Sequence, residues 1–259
     1  MAWDVILARF MPKDENRKNK YKYYHKMANK QVKGVEETNE ALTKSQAFFV
    51  KNKKAIIISA AAIVVIIVGI FLYSAYVQKP RAEKASTELG KGQQYFNAGD
   101  FEKALNGDKV NYNGFLKIAS DYSSTDAGNL ANLYAGLCYA NMDKWNEAVQ
   151  YLDKFNGKDD AMISPAALAA LGNAYAHVNQ LDKAVSTLKK AAEKADSKAE
   201  GKVNYSLAPT FMMQAAEILE SQNKKEEALK IYQDIKKKYI NSAVVQSSEI
   251  DKYIERASR

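Results

Sequence analysis

The chain has 259 residues, 38 Lys and Arg against 30 Asp and Glu, and one cysteine. A single cysteine excludes an intramolecular disulfide and any CxxC metal site, and no phosphate loop, nucleophile elbow or dinucleotide fingerprint accompanies it. The positive charge is local: 13 basic and 6 acidic side chains lie in residues 1–54, leaving 25 and 24 after it, so the large remainder is not a nucleic-acid-binding body by charge.

The first 54 residues read as a basic tail. Met1–Met11 is apolar enough for a short interfacial or partner-binding helix. Arg17–Lys30 interleaves basic residues with Tyr21, Tyr23 and Tyr24. Such a segment could lie on anionic lipid, grip RNA by phosphate contact and stacking, or only set topology. Val35–Lys54 predicts a helix with Val35, Leu42 and Phe49 on its apolar side.

Ala55–Val77 holds no charged side chain over 23 residues. At about 1.5 Å per helical residue it reaches across a hydrocarbon core of about 30 Å. Helical geometry is required there, because lipid offers no hydrogen-bond partner to the backbone. The run starts too far along the chain, and is too long, for a cleaved signal peptide. Near the run the Lys and Arg counts tie. The basic tail decides: it stays cytoplasmic, which puts the remainder outside the cytoplasm.

Beyond Pro80, which allows a break, helical signals are dense and strand signals sparse. Pro165 and Pro209 fit first helical turns. Aligned segments repeat. Gly92 and Tyr95 precede Gly99, Phe101 and Ala104. Gly136 and Tyr139 precede Trp145, Ala148, Leu152 and Phe155. Leu168, Leu171, Gly172 and Tyr175 precede Leu181, Ala184, Leu188 and Ala191. Met212, Ala215, Ala216 and Leu219 precede Ala228, Tyr232 and Ile235. The shared alanines 104, 148, 184 and 228 are spaced by 44, 36 and 44 residues. Asn179-Gln180 and Asn223-Lys224 sit where tight turns are needed. The two longer spacings place extra residues at Asn106–Gly114, which should interrupt a helix before Phe115–Asp121, and at Asp196–Leu207. Ala243–Ala257 predicts one more helix, which would cap the open end of the stack.

This pattern resembles the tetratricopeptide repeat, a helix–turn–helix unit with small residues where its helices touch. The resemblance implies an all-α helical solenoid, which follows the single transmembrane helix read above: tail 1–54, membrane helix 55–77, repeat domain 81–259. Its register also implies that positions 2, 5, 9 and 12 of each first helix face a groove. Those positions include Leu89, Gln93, Phe96, Leu130, Leu133, Leu137, Asn173 and Met213, a mostly apolar set suited to an unfolded segment or a partner helix. Some tetratricopeptide proteins hold acidic peptide ends with Lys and Asn there; only Asn173 matches, so that activity is not carried over. Lys84–Ala98, or another helix of the chain, could equally fill the groove.

His25 and His177 lack metal-ligand spacing, and Cys138 reads as a small core residue. The expectation is therefore a non-enzyme with no cofactor, no metal and no nucleic-acid partner. The whole organisation, a tail leading through Thr43–Lys54 into one anchor and then Phe101–Gly107 and Gly114–Tyr122, resembles bacterial envelope proteins of the YfgM-like group. That resemblance implies an inner-membrane protein with a periplasmic repeat domain. Its implied partners are translocon subunits, chaperones or unfolded clients. The alternative is a scaffold that organises an envelope complex through its tail and anchor.

Overall fold

A computed structural model describes residues 17–157 and 160–259; Met1–Met11 lies outside them. The chain divides into two units between Tyr73 and Ser74. Every regular element is helical among the described residues.

The first unit contains α1, Arg17–Tyr73. Along its apolar end Ile57, Ile63, Val65, Ile66 and Phe71 are each 57–69% exposed, and the described residues include one helix long and apolar enough to cross a membrane. In water such a continuous apolar surface is costly, at about 25 cal/mol per Å². Tyr23, Tyr24 and Phe49 are exposed as well, while the side chains of Val35 and Leu42 lie outside the described ones.

The second unit opens with a π-helical turn, Ser74–Gln78, and continues as α2, Lys79–Asn97. The chain does not use the break that Pro80 allows. Pro80 sits in the first turn of α2, where its missing N–H costs nothing, and the wider π turn accommodates its ring. Then come α3 (Phe101–Asn106), α4 (Phe115–Asp121), α5 (Asp126–Asn141) and α6 (Trp145–Lys154). The array continues with α7 (Ile163–His177), α8 (Leu181–Lys198), a 3₁₀ turn at Glu200–Lys202, α9 (Leu207–Ser221) and α10 (Lys225–Lys238). It closes with α11 (Ala243–Gln246) and α12 (Glu249–Ser258).

Four helix pairs result: α2 with α3 and α4, α5 with α6, α7 with α8, and α9 with α10. Each pair turns on the same device. Gly99, Asp143, Asn179 and Asn223 adopt φ of 76°, 56°, 59° and 60°. The next residue's N–H then donates to a carbonyl five residues back: Asp100 to Tyr95, Lys144 to Tyr139, Gln180 to Tyr175 and Lys224 to Leu219, at 2.8–3.0 Å. Gly, Asn and Asp tolerate the left-handed conformation that this C-terminal cap requires.

Within a pair, close helix approach depends on the absent side chain of glycine. A Cβ on Gly136 would stand 2.6 Å from Leu152 Cγ, and one on Gly172 2.8 Å from Leu188 Cγ. In the fourth pair Ala216 and Tyr232 take part in the core. The first pair differs, because its second helix is cut after Asn106 and resumes at Phe115, as the inserted residues predict. Tyr112, between the two pieces, and Phe115, at the start of α4, fill the space over Gly92.

Buried residues form three successive clusters, from Ala85–Cys138, through Leu133–Ala174, to Ala169–Ala257. The end of the chain departs from the single helix expected at Ala243–Ala257. It breaks at Ser248, which has φ 59°, so α11 has one turn and α12 starts afresh with Ile250 fully buried. Consecutive serines at 247 and 248 compete for backbone hydrogen bonds and weaken the helix there.

Candidate protein-binding face

The first helices α2, α5, α7 and α9 each contact the next along the array and form one continuous face. The sequence register places positions 2, 5, 9 and 12 on it. In the structure position 5 is core in all four repeats: Leu89, Leu133, Ala169 and Met213 are 6%, 8%, 5% and 9% exposed. Their area is used between neighbouring repeats, an interface no single repeat reveals. Leu89, Leu133 and Met213 therefore contribute packing more than open surface, although Met213 also lines a cavity at the end of the array.

The surface that remains is graded along the chain. Gln93, Phe96, Leu130, Leu137 and Asn173 are half-buried. At the first repeats the face is aromatic. Gln93 Nε2 donates to Tyr134 Oη at 3.0 Å, and the Phe96 and Tyr134 rings are T-shaped with centroids 5.2 Å apart. Tyr134 in turn stacks on buried Phe115 at 5.0 Å, a contact worth about 0.5–1.5 kcal/mol beyond area. Tyr134 thus joins Gln93 and Phe96 in one cluster. It was missed because it lies outside the four register positions. Leu130 and Leu137 lie two turns apart on α5. On α7 the face is made of small residues, with Ala166 exposed and Asn173 and Ala176 half-buried.

On α9 the face turns acidic. Glu217 is exposed, whereas Glu220 accepts hydrogen bonds from Tyr232 Oη and from the Arg256 guanidinium. The Arg256 hydrogen bond holds the Glu220 carboxyl below its ordinary range against the opposing effect of burial. Between the second and third repeats, Trp145 and His177 stack with centroids 3.6 Å apart.

The two insertions lie off the register and are ordered by carboxylates. Asp108 accepts backbone N–H bonds from Val110, Asn111 and Tyr112 and a hydroxyl bond from Tyr95. Those backbone donors hold its carboxyl far below the usual carboxylate range. Gly107 and Gly114, both at φ 90°, let the loop ends pass backbone against backbone. Asp196 accepts from Asn204 N, Lys238 Nζ and Tyr239 Oη at 2.8, 2.5 and 2.7 Å.

Cys138 is fully buried, and burial pushes its thiol up to about 12, far from a nucleophilic thiolate at neutral pH. Among the described residues no three His, Cys, Asp or Glu side chains are grouped to hold a metal ion. This face offers apolar and aromatic contact, a few hydrogen-bond groups and no assembled nucleophile and base.

Tetratricopeptide repeat models match residues 130–159, 167–200 and 211–242, the second, third and fourth helix pairs. No curated protein matches the sequence. Among solved structures the chain is similar to a Podosopora anserina protein described as a kinesin light chain with nearly identical TPR-like repeats, and to a point variant of it. Each is 11% identical with a TM-score of 0.47, over 68% of this chain and 94% of that one. These three segments match tetratricopeptide repeats, and repeats of this kind form protein-interaction modules.

Proposed function

We propose that this chain is a membrane-anchored protein-binding module. Residues 55–77 form the anchor, residues 1–54 stay in the cytoplasm, and the repeats stand on the extracytoplasmic side of a bacterial inner membrane. There the array assists secretion beside a translocon, by receiving unfolded clients or recruiting chaperones. The observation that carries this reading is the pairing of one uninterrupted, outward-facing apolar run with a repeat array whose first-helix face keeps Phe96, Leu130 and Leu137 partly open. Such a face holds an extended or helical segment by shallow apolar contact, with low demand for a particular sequence. Binding of this kind suits many clients. The basic tail supports the orientation, because short Lys-rich segments are retained in the cytoplasm.

The test is affinity purification of the full-length chain in mild detergent, compared by mass spectrometry with a tail-and-anchor control lacking residues 82–259. Enrichment of translocon subunits and periplasmic chaperones over the control supports the module and assigns recruitment to the repeats. Equal recovery with both moves recruitment to the tail and anchor, the scaffold alternative. Loss of translocon components from both overturns the secretion-linked reading.

A further inference from the structure

Where α9 meets the closing helices, the array carries an open cavity of about 930 Å³. Three separated segments wall it: the inserted residues after α8, one side of α9, and the stretch from Asn241 to Tyr253. Tyr205, Met213 and Tyr253 supply apolar wall, and Glu217 and Glu249 supply two exposed carboxylates. No Lys or Arg lines it, in a chain with 38 of them. Among the described residues neither carboxylate is in an ion pair, and the nearby cation Arg256 is already engaged by Glu220. Burial first, then the charges of Glu217 and Glu249, hold the Tyr253 hydroxyl above its ordinary range, so both carboxylates act on one ring. Gln214 lines the same cavity, and its buried side-chain oxygen has no hydrogen-bond donor. Arg256 already stands over the Tyr253 ring, 4.8 Å from its centre, so the open acceptors are the Glu217 and Glu249 carboxylates beside the apolar wall, and they complement one ligand chemistry: a cationic head on an apolar stem.

We propose that this cavity seats an Arg or Lys side chain of an extended client polypeptide, with the adjacent apolar residue of that segment against Tyr205 and Met213. The proposal rests on the protein-binding reading above and names the partner chemistry at one end of the same face. A guanidinium suits it best, because its planar fork presents several fixed donors to carboxylate oxygens. Clients would then be held by apolar contact along α2 and α5 and set in register by one basic residue at α9.

The experiment uses the full-length chain in nanodiscs of neutral phosphatidylcholine, with empty discs as background. Two labelled short peptides serve as probes, one alternating Leu and Arg, the other Leu and Glu. Fluorescence anisotropy should show the Leu–Arg peptide binding more tightly. Combining Glu217→Gln with Glu249→Gln should weaken it about tenfold, with the helical circular dichroism unchanged. Thr210→Lys, a cation placed in the cavity wall, should weaken it as well. Unchanged affinity in these variants, together with loss in Leu137→Asp, overturns the basic-residue seat and leaves the binding module standing. Absence of binding by either peptide to the wild type overturns both readings. A concentration-dependent dimer dissolved by the two glutamine changes would make a second copy the occupant and also overturn the proposal.

Discussion

Two insertions stretch this array, and they solve the same problem in opposite ways. Each adds eight residues to a repeat spacing that is otherwise 36, and each is tied down by an aspartate that accepts backbone N–H and a tyrosine hydroxyl. At Asn106–Gly114 the loop turns inward. Tyr112 is 3% exposed, donates to the Ala104 carbonyl at 2.7 Å, and completes a core that the shortened α3 leaves unfinished. At Asp196–Leu207 only Val203 and Leu207 lean on the core, while Tyr205 is exposed and the segment forms one wall of the end cavity. An insertion held by the same chemistry therefore becomes either core or cavity wall. The outcome depends on whether the neighbouring helices already fill their own interior.

The sharpest way to break this comparison is Tyr112→Ala. It removes a buried ring and a buried hydrogen bond, and should cost about 3–5 kcal/mol of stability, read as a lowered denaturation midpoint. Asp196→Ala should cost less, about 1–3 kcal/mol, by leaving the Tyr239 hydroxyl and Asn204 amide without an acceptor. Hydrogen exchange should then quicken in residues 199–206 and stay unchanged at Tyr112. A uniform loss of protection across both loops would contradict their separate roles.

A third test uses acid. The Asp108 carboxyl is held well below its ordinary value of 3.8, chiefly by the Val110, Asn111 and Tyr112 amides. Its contribution to stability is complete above that value and drains away as pH falls toward the lower folded value, because the unfolded chain takes up the proton first. Asp108→Asn removes that dependence. Between about pH 4 and pH 2, the variant's stability should fall with a slope up to about one proton shallower than the wild type's. The smallest effect belongs to the exposed pair Lys224–Asp182, outside both insertions. Lys224→Ala should leave the denaturation midpoint unmoved within error.

Much of the helical skeleton was legible from residue type. The small residues at 104, 136, 148, 172, 184 and 228 and the turn residues at 99, 179 and 223 act locally, so a single repeat suffices to read them. The interruption after Asn106 was legible for the same reason. Four features were not. Burial at position 5 depends on the neighbouring repeat, so Leu89, Leu133 and Met213 read as open surface when taken one helix at a time. Tyr112 enters the core from a loop, where no periodicity marks an inward face. The end cavity joins Tyr205, Glu217 and Glu249, which lie on three segments that only the completed fold brings together. Ser248 hid its break behind an otherwise regular helical pattern.

The central claim is that the first-helix face receives other polypeptides. It is tested most directly by placing a photo-crosslinking residue in the membrane-bound full chain, once at Leu137 on that face and once at exposed Lys190 on α8. The account predicts crosslinks to other polypeptides from position 137 and few or none from position 190. Equal crosslinking from both positions, or none from 137, would contradict it.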